Sequence, residues 1–248
     1  MELIGEVAAW LTDPANWMGR DGIPARVSEH VFLSGFSLLV GLAIALPIGL
    51  AIGHSRRWTG AVIAITNVGR AVPSIGILGI AFTLTLPLVA ALDLRNIGTP
   101  ATVIALIALA IPPIVINAYI GIRDVDPDVV EAARGMGMSG RQVLRRVELP
   151  LALPVILAGV RTASVQVIAT ATLGAILSTG GLGRYIVDGF AQQDEPQMVS
   201  GAILVMLLAL LSEGLFALAQ RRAISPGIRT DRGSITGPVN EPAPGLGL

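Results

Sequence analysis

Three sets of residues in this chain have types and spacings that could do chemistry. The first is Asp21-Gly22, followed by Ala25-Arg26 and Gly35. This begins the spacing D-G-x2-A-R-x8-G-x3-D-x3-D, in which aspartates hold a divalent metal for phosphoryl transfer to an alcohol. Such ions require hard oxygen ligands. The positions that should supply them are Leu39 and Ala43, so this chemistry is excluded. The second set is His30 and His54, too few for a histidine-rich metal site, and the chain has no cysteine for a thiolate site or a disulfide. No HExxH or GxSxG occurs. All seventeen basic residues are arginine, so a P-loop, which needs its phosphate-binding lysine, is also excluded. The third set is the polar run "EAARGMGMSGRQVLRRVELP" at 131–150, which interrupts apolar sequence on both sides.

Local chemistry gives that run a shape. Asp126-Pro127-Asp128 is a helix start, with Asp126 as N-cap, Pro127 at the first helical position and acid in the first turn. Val129, Val130 and Ala133 supply a small apolar face before Gly135 and Gly137 break the helix. Ser139 with Gln142 three residues later forms a capping-box pattern, and Val143, Leu144 and Val147 give a second short face. Pro150 should end the unit. The expectation is a helix–turn–helix knuckle over 124–150, flanked by Arg141, Arg145 and Arg146. A basic amphipathic loop on anionic lipid and a handle for a protein partner both fit this pattern. Glu131 and the two-helix break favour the partner, with small Ala132 and Ala133 permitting close approach.

The elements that must position the knuckle are membrane spans. The chain of 248 residues is 53% hydrophobic and 14% charged, with a mean hydropathy of +0.73. Soluble domains carry roughly 25% charged residues. A spanning helix needs about 20 mostly apolar residues. Five stretches qualify, near 30–53, 59–82, 100–122, 151–178 and 198–220, which defines an all-α integral membrane protein. The segment 83–97, interrupted by Pro87, Asp93 and Arg95, reads as the end of the second span plus a loop. Residues 1–29 read as an uncleaved extracytoplasmic leader, since Glu2 and Glu6 stand where a signal peptide is basic. Residues 30–222 form the transmembrane domain, and 223–248, rich in Pro and Gly, read as a disordered tail. Gly49 and Gly53 in the first span mark close helix packing.

Positive loops stay cytoplasmic. Placing the knuckle inside puts Arg56, Arg57, Arg123, Arg134, Arg141, Arg145, Arg146, Arg221, Arg222, Arg229 and Arg232 inside, and leaves only Arg20, Arg26, Arg95 and Arg184 outside. The N-terminus is then out and the C-terminus in. Acidic and basic residues cancel, so nothing suggests nucleic acid.

The knuckle spacing resembles the signature of permease subunits of binding-protein-dependent ABC importers: E-A-A, three residues, G, nine residues, I, one residue, L-P. Here it reads Glu131-Ala132-Ala133, Gly137, Val147 and Leu149-Pro150, with valine in place of isoleucine. "VELPLALPVILAGVRTA" and "GGLGRYIVDGF" are similar to osmoprotectant permeases, and "RAVPSIGIL" to their second-span motif, from which Arg70-Ala71-Val72 departs. Methionine-type importers share the GGLG. The resemblance implies a five-span type I importer permease fold whose loop docks on separate ABC ATPase subunits. It also implies a second permease, identical or homologous, and an extracytoplasmic solute-binding protein. ATP and Mg would bind the ATPase, and this chain would be a transport subunit of the cytoplasmic (inner) membrane with no cofactor of its own. The solute would be a quaternary ammonium or proline-type osmoprotectant. A methionine importer, or a stand-alone carrier or channel, is the competing reading. Gly180, Gly181 and Gly183 should make a flexible outer turn.

Polar residues at span depth tend to face protein or water. Asn67, Ser74, Asn117, Ser164, Gln166, Thr170 and Thr172 are therefore the candidates for the translocation path, with interhelical hydrogen bonding as the alternative. Arg161 and Glu213 should lie at matching depths, about 16 and 12 Å from the cytoplasmic side at 1.5 Å per residue, and should pair.

Overall fold

The computed structural model describes residues 2–55, 60, 64, 72–93 and 96–223. Asn67, Arg70, most of the expected second span before Pro73 and the tail from residue 224 lie outside the described residues. No strand occurs among those described. The helices are α1 (Glu2–Thr12), α2 (Ile23–Ser55), α3 (Ser74–Ala91), α4 (Gly98–Arg123), α5 (Pro127–Gly135), α6 (Gly140–Val143), α7 (Leu149–Ala171), α8 (Gly183–Gln192) and α9 (Glu195–Ala223). Short 3-10 turns occupy Pro14–Trp17 and Thr172–Leu177, and a π-helical turn occupies Leu144–Glu148. Five runs are long and apolar enough to cross a membrane: α2, α3, α4, the continuous run Gly140–Leu177, and α9.

Three boundaries differ from the sequence reading. The helix of the first span starts at Ile23 rather than at 30, so Arg26 and Glu29 lie inside α2 instead of in a leader. Pro24 fits its first turn, where no backbone donor is needed, and the charges are paired. The second membrane-length helix is Ser74–Ala91, displaced from the expected 59–82 window, and it runs through Pro87. Its start is set by Pro73, extended at φ −59°, ψ 133°. Finally, Pro150 does not end the knuckle. It sits in the first turn of α7, and the π-helical turn carries α6 into α7 without a break.

Lipid tails are as apolar as leucine, so helices in a bilayer associate through close contact rather than hydrophobic exclusion. Small residues supply that contact. A Cβ added at Gly49 would stand 2.6 Å from Ala118 Cβ and 2.8 Å from the Val115 carbonyl oxygen. One added at Gly53 would stand 2.8 Å from Ile122 Cβ. With Gly41 against Ala110 and buried Ala45 between, these form a small-residue stripe at four-residue spacing along which α2 and α4 lie in near backbone contact. Helix α7 completes a three-helix core of Ala45, Leu106, Ala110, Ile114, Val115, Ala163, Val167 and Ala171. Helix α3 packs on α4 through Leu78, Ala81, Ala101 and Ala105. Helix α9 lies on α7 and α8 with Met206, Leu207, Leu210, Leu211, Leu215 and Leu218 exposed.

The α2–α4 stripe predicts opposite outcomes for one substitution at two sites. Gly49→Ala overpacks a closed contact and should destabilise the chain by about 1–3 kcal/mol. Gly79→Ala in α3, where a Cβ meets nothing within 4 Å, should be neutral or stabilising by up to about 1 kcal/mol. Thermal unfolding in detergent, followed by size-exclusion chromatography, measures both.

Candidate functional site

The knuckle is built from its caps inward. Asp126 accepts the Asp128 backbone N–H at 2.9 Å and starts α5. The helix ends where Gly137 turns to φ +83°, a conformation that strains any side chain although the space around it is open. The Gly137 N–H donates to the Arg134 carbonyl at 2.9 Å. The Ser139 N–H then donates to the Gln142 side chain at 2.8 Å, closing the expected capping box. Inside the turn, Val125, Val130, Ala133 and Val143 form a small buried core, with Met138 and Val147 against it.

This geometry divides the signature residues. Glu131, Ala132 and Gly137 are exposed on the knuckle surface, with Arg134, Arg141, Arg145 and Arg146 around them. Ala133 is buried, so it serves close packing within the knuckle rather than approach from outside. Val147 packs on the same core. Leu149 packs with Ala118, Ile122, Ala152 and Ile156, anchoring the knuckle to α4 and α7, while exposed Pro150 occupies the first turn of α7. The arrangement can bind a protein surface. Among the described residues no cluster of three or more His, Asp or Glu could hold a metal.

Two polar contacts at the ends of α2 escape the sequence reading. At the knuckle end, His54 Nδ1 lies 2.5 Å from Glu148 Oε2, across 94 residues. Glu148 is buried at the end of the π-helical turn. At the opposite end, α2 clasps the turn at 180–183. The Gly181 N–H donates to Glu29 Oε2 at 2.7 Å, and the Leu182 N–H donates to His30 Nδ1 at 3.3 Å. His30 Nε2 lies 3.0 Å from the Ile168 carbonyl, so Nε2 carries the proton and Nδ1 accepts. Arg26 binds Glu29 at 2.9 Å and also reaches Asp21. The Tyr185 hydroxyl donates to the Asp21 carbonyl at 2.5 Å, and burial pushes this phenol above its ordinary pKa. Gly181 sits at φ +92°. The turn expected to be flexible is thus held in place by side chains of α2. Its signal in the sequence is His30, standing at a span start with no visible partner.

The path candidates separate as well. Asn117 donates to the Pro113 carbonyl at 2.7 Å, beneath Gly159. Ser164 bonds the Ser212 hydroxyl at 2.6 Å, and Thr172 donates to the Ala169 carbonyl at 2.7 Å. Ser74 and Thr170 border a small enclosed gap between α3, α4 and α7. Gln166 opens onto a cleft of about 760 Å³ between α7 and α9, together with Thr162, Arg161 and Glu213. The structure brings Arg161 Nη2 and Glu213 Oε1 together as an ion pair, with side chains 38% and 34% exposed.

Known proteins share this chain's pattern over most of its length. It is 32% identical over 204 residues to the glycine betaine/carnitine/choline transport system permease protein OpuCB of Bacillus subtilis, covering 82% of this chain and 89% of that protein. It is 36% identical to the carnitine transport permease protein OpuCB of Listeria monocytogenes, with the same coverage. The osmoprotectant import permease protein OsmW of Salmonella typhimurium is 31% identical, covering 81% of this chain and 91% of that protein. Among solved structures, an inward-facing form of the MetNI methionine ABC transporter superposes with a TM-score of 0.73 at 23% identity, covering 86% of this chain and all of that one. An amino acid ABC transporter gives 0.64 at 18% identity, with coverages of 87% and 98%. These neighbours share the type I importer permease fold. Residues 43–230 match the inner membrane component of binding-protein-dependent transport systems. The chain belongs to that family.

Proposed function

We propose that this chain is the membrane-spanning subunit of an ATP-driven importer for a quaternary ammonium osmoprotectant such as glycine betaine, carnitine or choline. The observation that carries the substrate class is its identity of 32–36% to permeases named for those solutes, over four-fifths of its length. The methionine transporter that it resembles in fold is only 23% identical, so that solute is not favoured. The exposed Glu131, Ala132 and Gly137 surface supports docking of an ABC ATPase, which would hold ATP and Mg, since this chain has no lysine for a P-loop. The knuckle would face the cytoplasm, with the N-terminus outside and the C-terminus inside. The clasped turn at 180–183 would then face the side from which a binding protein delivers solute.

The path follows from the cleft beside Arg161. A lone charge at span depth costs roughly 2.5–3.5 kcal/mol on insertion scales. A partly exposed ion pair is therefore poorly placed against lipid tails, and the Arg161–Glu213 face belongs to a watery path or to a second permease subunit. Gln166 and Thr162 on the same cleft offer polar contacts along it. Ser164 instead ties α7 to α9 through Ser212, while Asn117 and Thr172 are engaged with carbonyls one turn back in their own helical runs. ATP-driven movement of the knuckle would rock the attached spans and switch the path between its two openings.

Glu131→Arg and Gly137→Trp should each reduce uptake by at least about tenfold and weaken ATPase co-purification, with the chain still in the membrane. Normal assembly and uptake in both variants would remove the docking role.

Proteoliposomes holding chain, ATPase and binding protein should take up labelled glycine betaine, carnitine or choline, and lose that uptake without the binding protein. Uptake of methionine alone would overturn the solute class, and gradient-driven uptake by the chain by itself would indicate a carrier.

Arg161→Glu and Glu213→Arg should each lower expression and uptake, and the double swap should recover part of both. Additive losses would mean that the pair has no role in the assembled transporter.

A further inference from the structure

We propose that His54 and Glu148 form a strut that keeps the knuckle, α2, α4 and the root of α7 moving as one body. This inference rests on the reading that an ATPase grips 124–150. Both are positioning residues: neither touches solute, and their effect is on how knuckle movement reaches the spans.

Glu148 is the last residue of the π-helical turn, where the knuckle becomes α7. Helical irregularities of this kind concentrate at functional sites. Its carboxylate is buried, with a side-chain exposure of 4%. A carboxylate can only accept, so His54 Nδ1 carries the proton in the 2.5 Å contact. The other side of the same imidazole faces the start of α6: a Cβ built on Gly140 would lie 3.4 Å from His54 Nε2. His54 therefore sits between the two ends of the α6–π segment. It is also the penultimate residue of α2, immediately after Gly53, where α2 is locked against Ile122 of α4.

Mechanical consequences follow from burial. Separating the pair would strand a buried carboxylate without its imidazole partner. Buried charges tolerate that poorly. The contact should therefore stay closed as the transporter cycles. A displacement of α5 and α6 then reaches α2 directly, and α4 through the glycine stripe, rather than being absorbed by bending at the π-helical turn.

The test uses the complete transporter, with ATPase and binding protein, in proteoliposomes, and reads solute imported per ATP hydrolysed. Glu148→Leu and His54→Leu should leave hydrolysis running while that ratio falls about tenfold, at the upper range of coupling changes from single substitutions. Glu148→Gln, which keeps an acceptor for the imidazole, should restore most of it. Because the chain has no native cysteine, His54→Cys with Glu148→Cys provides a second arm in a cysteine-free complex. Unbridged, the double variant should be uncoupled. Joined by a short bifunctional thiol reagent, it should regain the native ratio.

Parallel loss of uptake and hydrolysis, with no rescue by glutamine, would reduce the pair to a structural contact and overturn the proposal. So would an unchanged ratio, or a bridge that blocks uptake, since the residues would then have to part during the cycle. If the leucine variants fail to assemble, the bridged pair decides. A native complex that does not hold an ATPase at all would be a failure of the docking reading instead, and is seen before any variant is made.

Discussion

The near-backbone contact between α2 and α4 is the constraint on which the rest of the structure depends. In lipid there is little hydrophobic gain from bringing two helices together, so their affinity comes from dispersion over closely matched surfaces. Glycine at 41, 49 and 53 removes the side chains that would hold the axes apart, and Ala110 and Ala118 opposite are little larger. Once α2 and α4 are joined, α7 can lie along both, and the three-helix core closes around Ile114 and Val167. Both ends of α2 are then fixed in space. One end brings His54 to Glu148, and the other brings Glu29 and His30 to the turn at 181–182.

Most polar groups at span depth find a partner appropriate to their burial. Hydroxyls bond a neighbouring carbonyl one turn back, as Ser34, Thr85 and Thr102 do. The Ser37 and Ser200 hydroxyls depart from this, buried with no hydrogen-bond partner. Buried Glu148 has an imidazole. The charges left partly open, Arg161 and Glu213, satisfy one another and border the cleft between α7 and α9. Gln166 and Thr162 line the same cleft, among apolar Ala158, Val165, Met206, Ala209 and Leu210.

The sequence exposes local chemistry well and long-range chemistry poorly. Asp126, Gly137 and the Ser139–Gln142 box act within four residues, so residue types and spacing alone are enough to draw the knuckle. Arg161 and Glu213 can be paired because helix rise converts sequence distance from the span ends into depth. The inward orientation of Ala133 is legible too, since it lies three residues after Val130 on the same face, but the signature it belongs to draws it outward. The start of α3 is not legible: the apolar stretch from 59 to 92 is longer than one span, and hydropathy cannot choose a window within it. His54 with Glu148, and Glu29 with Gly181, are single polar residues 94 and 152 positions apart. No periodicity connects such pairs. Only the packing of α2 along α4 and α7 does.

The clasp at the far end of α2 also sets an order of events during synthesis. Glu29 and His30 belong to the first membrane helix, while the N–H groups that satisfy them come from residues 181 and 182. At about 5–20 residues per second, those donors appear roughly eight to thirty seconds after the residues they bind. Until then Glu29 has Arg26, three residues back, while the His30 imidazole must remain hydrated or be sheltered by the insertion machinery. Closure of the turn is therefore a late, chain-spanning event, which ties the first span to the segment just ahead of α8.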